Sequence, residues 1–165
     1  MTYVLTLRMD AASQARFDRE RERYYPAERN RIRAHLTLFH TLPEDRAMWA
    51  AMREVAAGYG AFRMEVTGVR SLGRGVAYRL SSGRLMELHG ELAAVVGERL
   101  TAQDRQQFEP HVVVQNKVAP AAARELLAEL GAGFVEFGVE AVGLDVWEYL
   151  GGPWGHVETM GFGVG

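Results

Sequence analysis

With 165 residues, of which 48% are apolar, 24% charged and 10% aromatic, the chain can hide about 70% of the surface its unfolded form exposes. Collagenous, coiled-coil and wholly disordered readings are therefore excluded. There is no Cys, which removes disulfides, thiolate zinc sites and a Cys nucleophile together. Nineteen Lys+Arg against 21 Asp+Glu leave a formal net charge of -2, so any polyanion would have to be met by a local cluster.

The N-terminus has no basic region, long apolar stretch or small-residue cleavage site of a secretory signal. No apolar run approaches the roughly 20 residues needed to span a bilayer, so a cytoplasmic location without membrane contact is expected. Thr2 to Arg8 alternates as a strand, and Asp10 is placed to cap a helix running to about Tyr24. Ala34 to Leu42 reads as a second strand, Glu44 to about Ala57 as a helix ending near Gly58, and Phe62 to Leu72 as a third strand.

Beyond Gly73 and Gly75 the order repeats. Val76 to Ser82 is strand-like, and Leu85, Leu88, Leu92, Val95 and Val96 fall on one face of a helix. Gln103 to Glu109 reads as polar linker, Pro110 to Val118 as a strand, and Pro120 opens a helix closed by Gly131. A long strand from Phe134 to Trp147, a Gly151-Gly152-Pro153 turn and a closing strand from Trp154 to Phe162 complete the chain, with the Gly-rich end to Gly165 as a loose terminus. Strand-helix-strand-helix-strand thus occurs twice. We expect one domain, residues 1–165, made of lobe-like halves at about 1–73 and 74–165 that pack together across a very short linker.

Two of the five His sit at matching places in the halves, His35 and His111, each near the start of a second strand. Strand alternation puts His35, Thr37 and Phe39 on one face and Leu36, Leu38 and His40 on the other; His111, Val113 and Gln115 share the corresponding face. Two imidazoles meeting across a cleft would supply both an acid and a base, since each titrates at about 6.5 when unperturbed. That suits phosphoester cleavage. Zinc is the competing use of paired His, but no Cys, HExxH or second His cluster completes a ligand set, so no metal site is expected. His40, His89 and His156 read as structural or surface residues. Arg29, Arg31 and Arg33 would line an approach to the cleft only if that segment is extended; the interspersed Glu favours a solvated charged loop. Tyr24, Tyr25 and Trp147 read as packing or cleft-wall residues, with stacking on a base as the alternative.

His35-Leu36-Thr37-Leu38 and Pro110-His111-Val112-Val113-Val114 resemble the paired His-x-Thr/Ser motifs of the 2H phosphoesterase superfamily, in particular its bacterial 2′-5′ RNA ligase-like branch. The resemblance extends over nearly the whole chain, through Gln115-Asn116-Lys117 to the Trp147 to Trp154 stretch. It implies an α+β, bilobal, pseudo-two-fold fold, with two mainly antiparallel sheets flanked by helices around a central cleft. It further implies cleavage of 2′,3′-cyclic phosphates on RNA ends or small nucleotides, or handling of 2′-5′ linkages, by a monomer needing no cofactor. His35 and His111 become the acid-base pair and Thr37 a phosphate-binding hydroxyl. Val113 departs from the motif, where the family has Thr or Ser, and Gln115 is the candidate replacement donor. The alternative is a non-catalytic module that binds a nucleotide or RNA end through a degenerate second motif.

Overall fold

The computed structural model describes residues 1–163; Val164 and Gly165, the last positions of the expected loose terminus, lie outside the described residues. Strand β1 (Tyr3–Met9) enters α1 (Ala11–Tyr24) through Asp10, whose carboxylate accepts from the Ser13 N–H at 3.0 Å. This satisfies one of the donors that a helix start leaves open. β2 (Leu36–Leu42), α2 (Arg46–Ala57) and β3 (Phe62–Ser71) follow, with Asp45 capping α2. The second half runs β4 (Val76–Ser81), α3 (Gly83–Val96), β5 (His111–Gln115), α4 (Pro120–Ala132) and β6 (Phe137–Tyr149), and β7 (Trp154–Gly161) closes it. The element order is the one read from the sequence. The strands are slightly shorter, so that His35 stands just before β2, and α4 runs past Gly131 to stop at Gly133.

All seven strands join one hydrogen-bonded network, ordered β2-β1-β6-β3-β4-β5 with β7 also on β6, and every pairing is antiparallel. The long strand β6 is the joint. Its first part pairs with β3 from Phe137 to Ala141, and its second part pairs with β1 on one edge and β7 on the other. The two expected antiparallel sheets are the arms of this network, β2-β1-β6-β7 and β6-β3-β4-β5. Each arm draws strands from both halves of the chain, because β3 leaves the first half to pair with β4, and β6 leaves the second to pair with β1. A division near Gly73 therefore does not separate the arms. The strand order is nonetheless symmetric: exchanging β1, β2 and β3 for β4, β5 and β6 maps it onto itself. The sheet curls as a half-barrel, and its edge strands β2 and β5 approach each other.

The core takes Leu5 and Leu7 from β1, Leu36 and Phe39 from β2, Met52 from α2, and Leu85, Leu88 and Leu92 from α3, all 0–2% exposed. The spacing of the α3 leucines is the helical stripe visible in the sequence, and each buried Leu contributes roughly 1.5–3 kcal/mol. Among the described residues, no helix is long and apolar enough to cross a membrane.

The polar run after α3 is more than a linker. Asp104, 8% exposed, accepts from the backbone N–H groups of His40 and Thr41 at 2.9–3.1 Å and from His40 Nδ1 at 2.9 Å. Burial pushes its carboxyl up, but hydrogen bonds from the His40 ring and the two N–H groups outweigh burial and hold it below its usual range. His89 lies stacked between Phe39 and Phe108, with centroids 4.7 and 3.9 Å away. Both His are structural, as their sequence context suggests. Asp104→Ala removes the charged acceptor shared by the His40 and Thr41 N–H groups and the His40 ring and should lower the unfolding free energy by about 1–3 kcal/mol in a urea titration near neutrality. Because the folded pKa is depressed, this contribution is full above the unfolded value of about 3.9 and disappears as pH falls through the folded one. A parent-variant gap that grows on acidification would contradict the assignment.

Candidate active site

His35 and His111 open the two edge strands, and their surroundings match. Each ring donates Nδ1–H to the carbonyl two residues back, Arg33 O and Glu109 O, both at 2.8 Å. A carbonyl can only accept, so both imidazoles hold the same tautomer and leave Nε2 for proton transfer. The likeness continues down the strands. Pairing steps from Thr6↔Thr37 to Leu5↔Phe39 in one arm, and from Ala77↔Val113 to Val76↔Gln115 in the other. Each motif therefore contains one extra residue, Leu38 or Val114, in a β-bulge at the same place.

The bulge overturns part of the reading by alternation. His35 and Thr37 share a face, and so do His111 and Val113, but Phe39 and Gln115 turn to the opposite, buried side. Gln115 is 7% exposed and its Oε1 has no partner among the described residues. It does not stand beside Val113 and cannot replace the missing hydroxyl there. Thr37 and Val113 occupy equivalent, half-buried positions on the face of the two His.

The loop leading to His35 is pinned by α1. Ala34 N–H donates to Asp18 at 2.9 Å, and Gln14 Nε2 donates to Ala34 O at 2.7 Å. Arg21, 3% exposed, reaches further. Its Nε donates to Asn30 Oδ1 at 2.8 Å and Ile32 O at 3.1 Å, its Nη1 donates to Val113 O at 3.2 Å, and its guanidinium covers the Tyr25 ring at 4.0 Å. One buried cation thus ties the segment before His35 to the strand of His111. Nothing in the charged stretch from Arg19 to Arg33 distinguishes Arg21, since its role depends on which strand lies opposite. Burial pushes His35 down to about 4, helped by the charges of Arg21, His111 and His40 and opposed by the Arg33 carbonyl. The ring is therefore neutral at pH 7.

Beside His35 opens a cavity of about 960 Å³, floored by β1, β6 and β7. Trp154 stands 4.6 Å from the His35 ring and 6.2 Å from Trp147, whose Nε1 donates to Thr6 Oγ1 at 2.9 Å. Asp145 accepts from Arg8 at 3.1 Å and Thr159 at 2.6 Å, and His156 Nε2 lies 2.9 Å from it. His156 is therefore a cavity-wall residue, not an isolated surface one. Arg29 closes a short helical turn, Arg33 pairs with Asp18, and Arg31 and Arg33 line the cavity, so the three Arg do not form the extended row that even spacing suggests. Tyr24 and Tyr25 pack as expected, while Trp154 and Arg21 are functional candidates that sequence reasoning passed over. Among the described residues no three His, Asp or Glu gather as metal ligands.

Paired His-bearing edge strands on a curled antiparallel sheet define the 2H phosphoesterase class, and the chain belongs to the 2′-5′ RNA ligase superfamily, whose family model matches residues 9–153. Among solved structures, TT0787 of Thermus thermophilus is similar with a TM-score of 0.68 and 18% identity over 96% of each chain. LigT of E. coli, complexed with 3′-AMP, is similar with a TM-score of 0.59 and 13% identity over 98% of this chain and 97% of that one. A protein described as a phosphoesterase has a TM-score of 0.59 at 12% identity over 98% of each chain. These likenesses are of fold. No curated protein matches the sequence.

Proposed function

We propose that this member of the superfamily opens 2′,3′-cyclic phosphates on RNA ends or small nucleotides, with His35 and His111 as base and acid. The observation that carries the reading is the residue-for-residue equivalence of the two motifs, down to the Nδ1–H bond and the bulge. E. coli LigT has been seen with 3′-AMP and with phosphate. A phosphate on a ribose hydroxyl is the kind of product this reaction leaves.

Neutral His35 takes a proton from water at Nε2 as the water oxygen bonds to phosphorus. The bond from phosphorus to one ribose oxygen breaks, and protonated His111 gives its Nε2 proton to that oxygen. Exchange with solvent then resets both rings. Thr37 donates its hydroxyl to a phosphate oxygen, while Val113 offers no such bond. Neither proton transfer requires a metal or cofactor.

The test is hydrolysis of a 2′,3′-cyclic mononucleotide with EDTA present, followed from about pH 4 to 9. Turnover that survives EDTA is expected. The acid limb of kcat/KM, which reports the free enzyme, should fall near the depressed His35 value of about 4 and not near the ordinary His value of about 6.5. A limb at the ordinary value would remove His35 from the base role. Stability follows the same sign. The unfolded chain binds a proton at about 6.5 that folded His35 refuses, so this contribution is full above that pH and shrinks as pH falls towards the folded value.

Val113 favours a second reading, a module that holds a nucleotide or RNA end without turning it over. Binding of a 3′-nucleotide with no hydrolysis of any cyclic phosphate, in the parent and after restoring a hydroxyl at position 113, would select it.

A further inference from the structure

β2 and β5 are the two ends of the strand order; they approach each other, but neither pairs with the other. The two His straddle this open seam, with His35 just before β2 and His111 at the start of β5. An acid and a base that act on one phosphorus have to be held at a fixed separation, since a misplacement of about 1 Å can cost on the order of 100-fold in rate. Strand pairing does not supply that constraint here. His35 is held from its own side, by the Ala34 bonds to Asp18 and Gln14, and His111 from its own, by β4 through the Arg79↔His111 pair.

Arg21 spans the gap. Its Nε–H is shared by Asn30 Oδ1 and Ile32 O in the segment leading to His35, and its Nη1 donates to Val113 O on β5, two residues from His111. A planar guanidinium fixes these directions together, which a flexible ammonium does not. Packing gives no reason for a cation at this place. The side chain is 3% exposed and forms no ion pair among the described residues; Asp18, whose charge reaches it, is engaged by Gln14, Arg33 and the Ala34 N–H. Burying an unpaired charge is costly, and an apolar side chain of similar size often stabilises a fold by comparison. A second polar link from α1 to this arm, Tyr78 to Glu20 at 2.6 Å, ends on β4 and not on the strand of His111.

We propose that Arg21 is a positioning residue for the two-His reaction, a buried fork that sets the separation of His35 and His111 across the seam between β2 and β5. Being buried, it acts through the two rings and not on the phosphate. The role rests on the phosphoesterase reading of the same site.

Two substrates separate this role from a general loss of folding. Opening of a 2′,3′-cyclic phosphate needs both His at once; a nitrophenyl phosphodiester, whose leaving group departs without a proton, needs only the base. In Arg21→Lys, which keeps the charge and loses the fork, and in Arg21→Met, which loses both, kcat for the cyclic phosphate should fall by about 10- to 100-fold while the nitrophenyl ester keeps most of its rate. Asn30→Ala, at a half-buried loop position, should show the same selective loss on a smaller scale; it decides the matter where the core variants do not fold, and absence of a selective loss there overturns the proposal. Equal loss for both substrates means a structural role and overturns it as well. Parental rates in Arg21→Lys do the same, since charge alone would then suffice. A parent that turns over neither substrate refutes the phosphoesterase reading by itself, and the role of Arg21 is then decided by the NMR ring signals of His35 and His111 during titration with inorganic phosphate. One shared Kd at both rings in the parent, weakened about tenfold or more in Arg21→Lys, upholds the positioning role. Phosphate that fails to shift both parent rings, or that binds the variant as tightly as the parent, overturns it.

Discussion

On the proposed mechanism, His35→Ala and His111→Ala are each expected to lower the rate of cyclic-phosphate opening by about 10²–10⁴, the usual loss when a positioned acid or base is removed. Neither variant should be much less stable. Both rings are half-buried at strand starts, and each truncation frees a single carbonyl, Arg33 O or Glu109 O, close to solvent. The two losses can be told apart. A phosphodiester whose leaving group is a good one, such as a nitrophenolate, needs no proton on departure, so it should restore much of the rate to His111→Ala and none to His35→Ala. Rescue of His35→Ala in place of His111→Ala would exchange the roles. Retention of near-parental turnover by both variants would remove the two-His mechanism.

Val113→Thr is expected to raise kcat/KM by about ten- to a hundredfold. Val113 stands in the second arm where Thr37 stands in the first, paired with Ala77 as Thr37 is with Thr6. Thr has the same β-branched shape and suits a strand equally, and at a half-buried position its hydroxyl loses little hydration. A hydrogen bond to a charged oxygen is worth about 1.5–3 kcal/mol, which is the stated factor in rate when the bond forms in the transition state. The matching control is Thr37→Val, which should lose about as much as Val113→Thr gains. Loss in the control with no gain in Val113→Thr would mean that only the first arm holds the phosphate. Gln115 does not enter this balance, because its side chain points into the protein.

Where sequence patterns are local, they were sufficient. The Asp10 cap and the α3 stripe of Leu85, Leu88 and Leu92 reappear in the structure, because each depends on residues within a turn or two of one another; the doubled element order that sets His35 and His111 at matching places reappears as well. Face assignment on the strands was legible only as far as the bulge. Alternation places His35 with Thr37 and His111 with Val113 correctly, then fails for Phe39 and Gln115, since a bulge is created by the register of the partner strand.

By itself, then, the amino-acid order determined the elements, their doubling and the two His-bearing strand starts. Tertiary structure decided the rest: the exchange of β3 and β6 between halves, the Arg21 tie from α1 to Val113, the anchoring of Asp104 on His40, and Trp154 against His35. Each of these joins residues far apart in the chain. Such contacts arise only once the strands have paired and the helices and loops have packed on the sheet, and the residues that make them carry no mark in the local pattern.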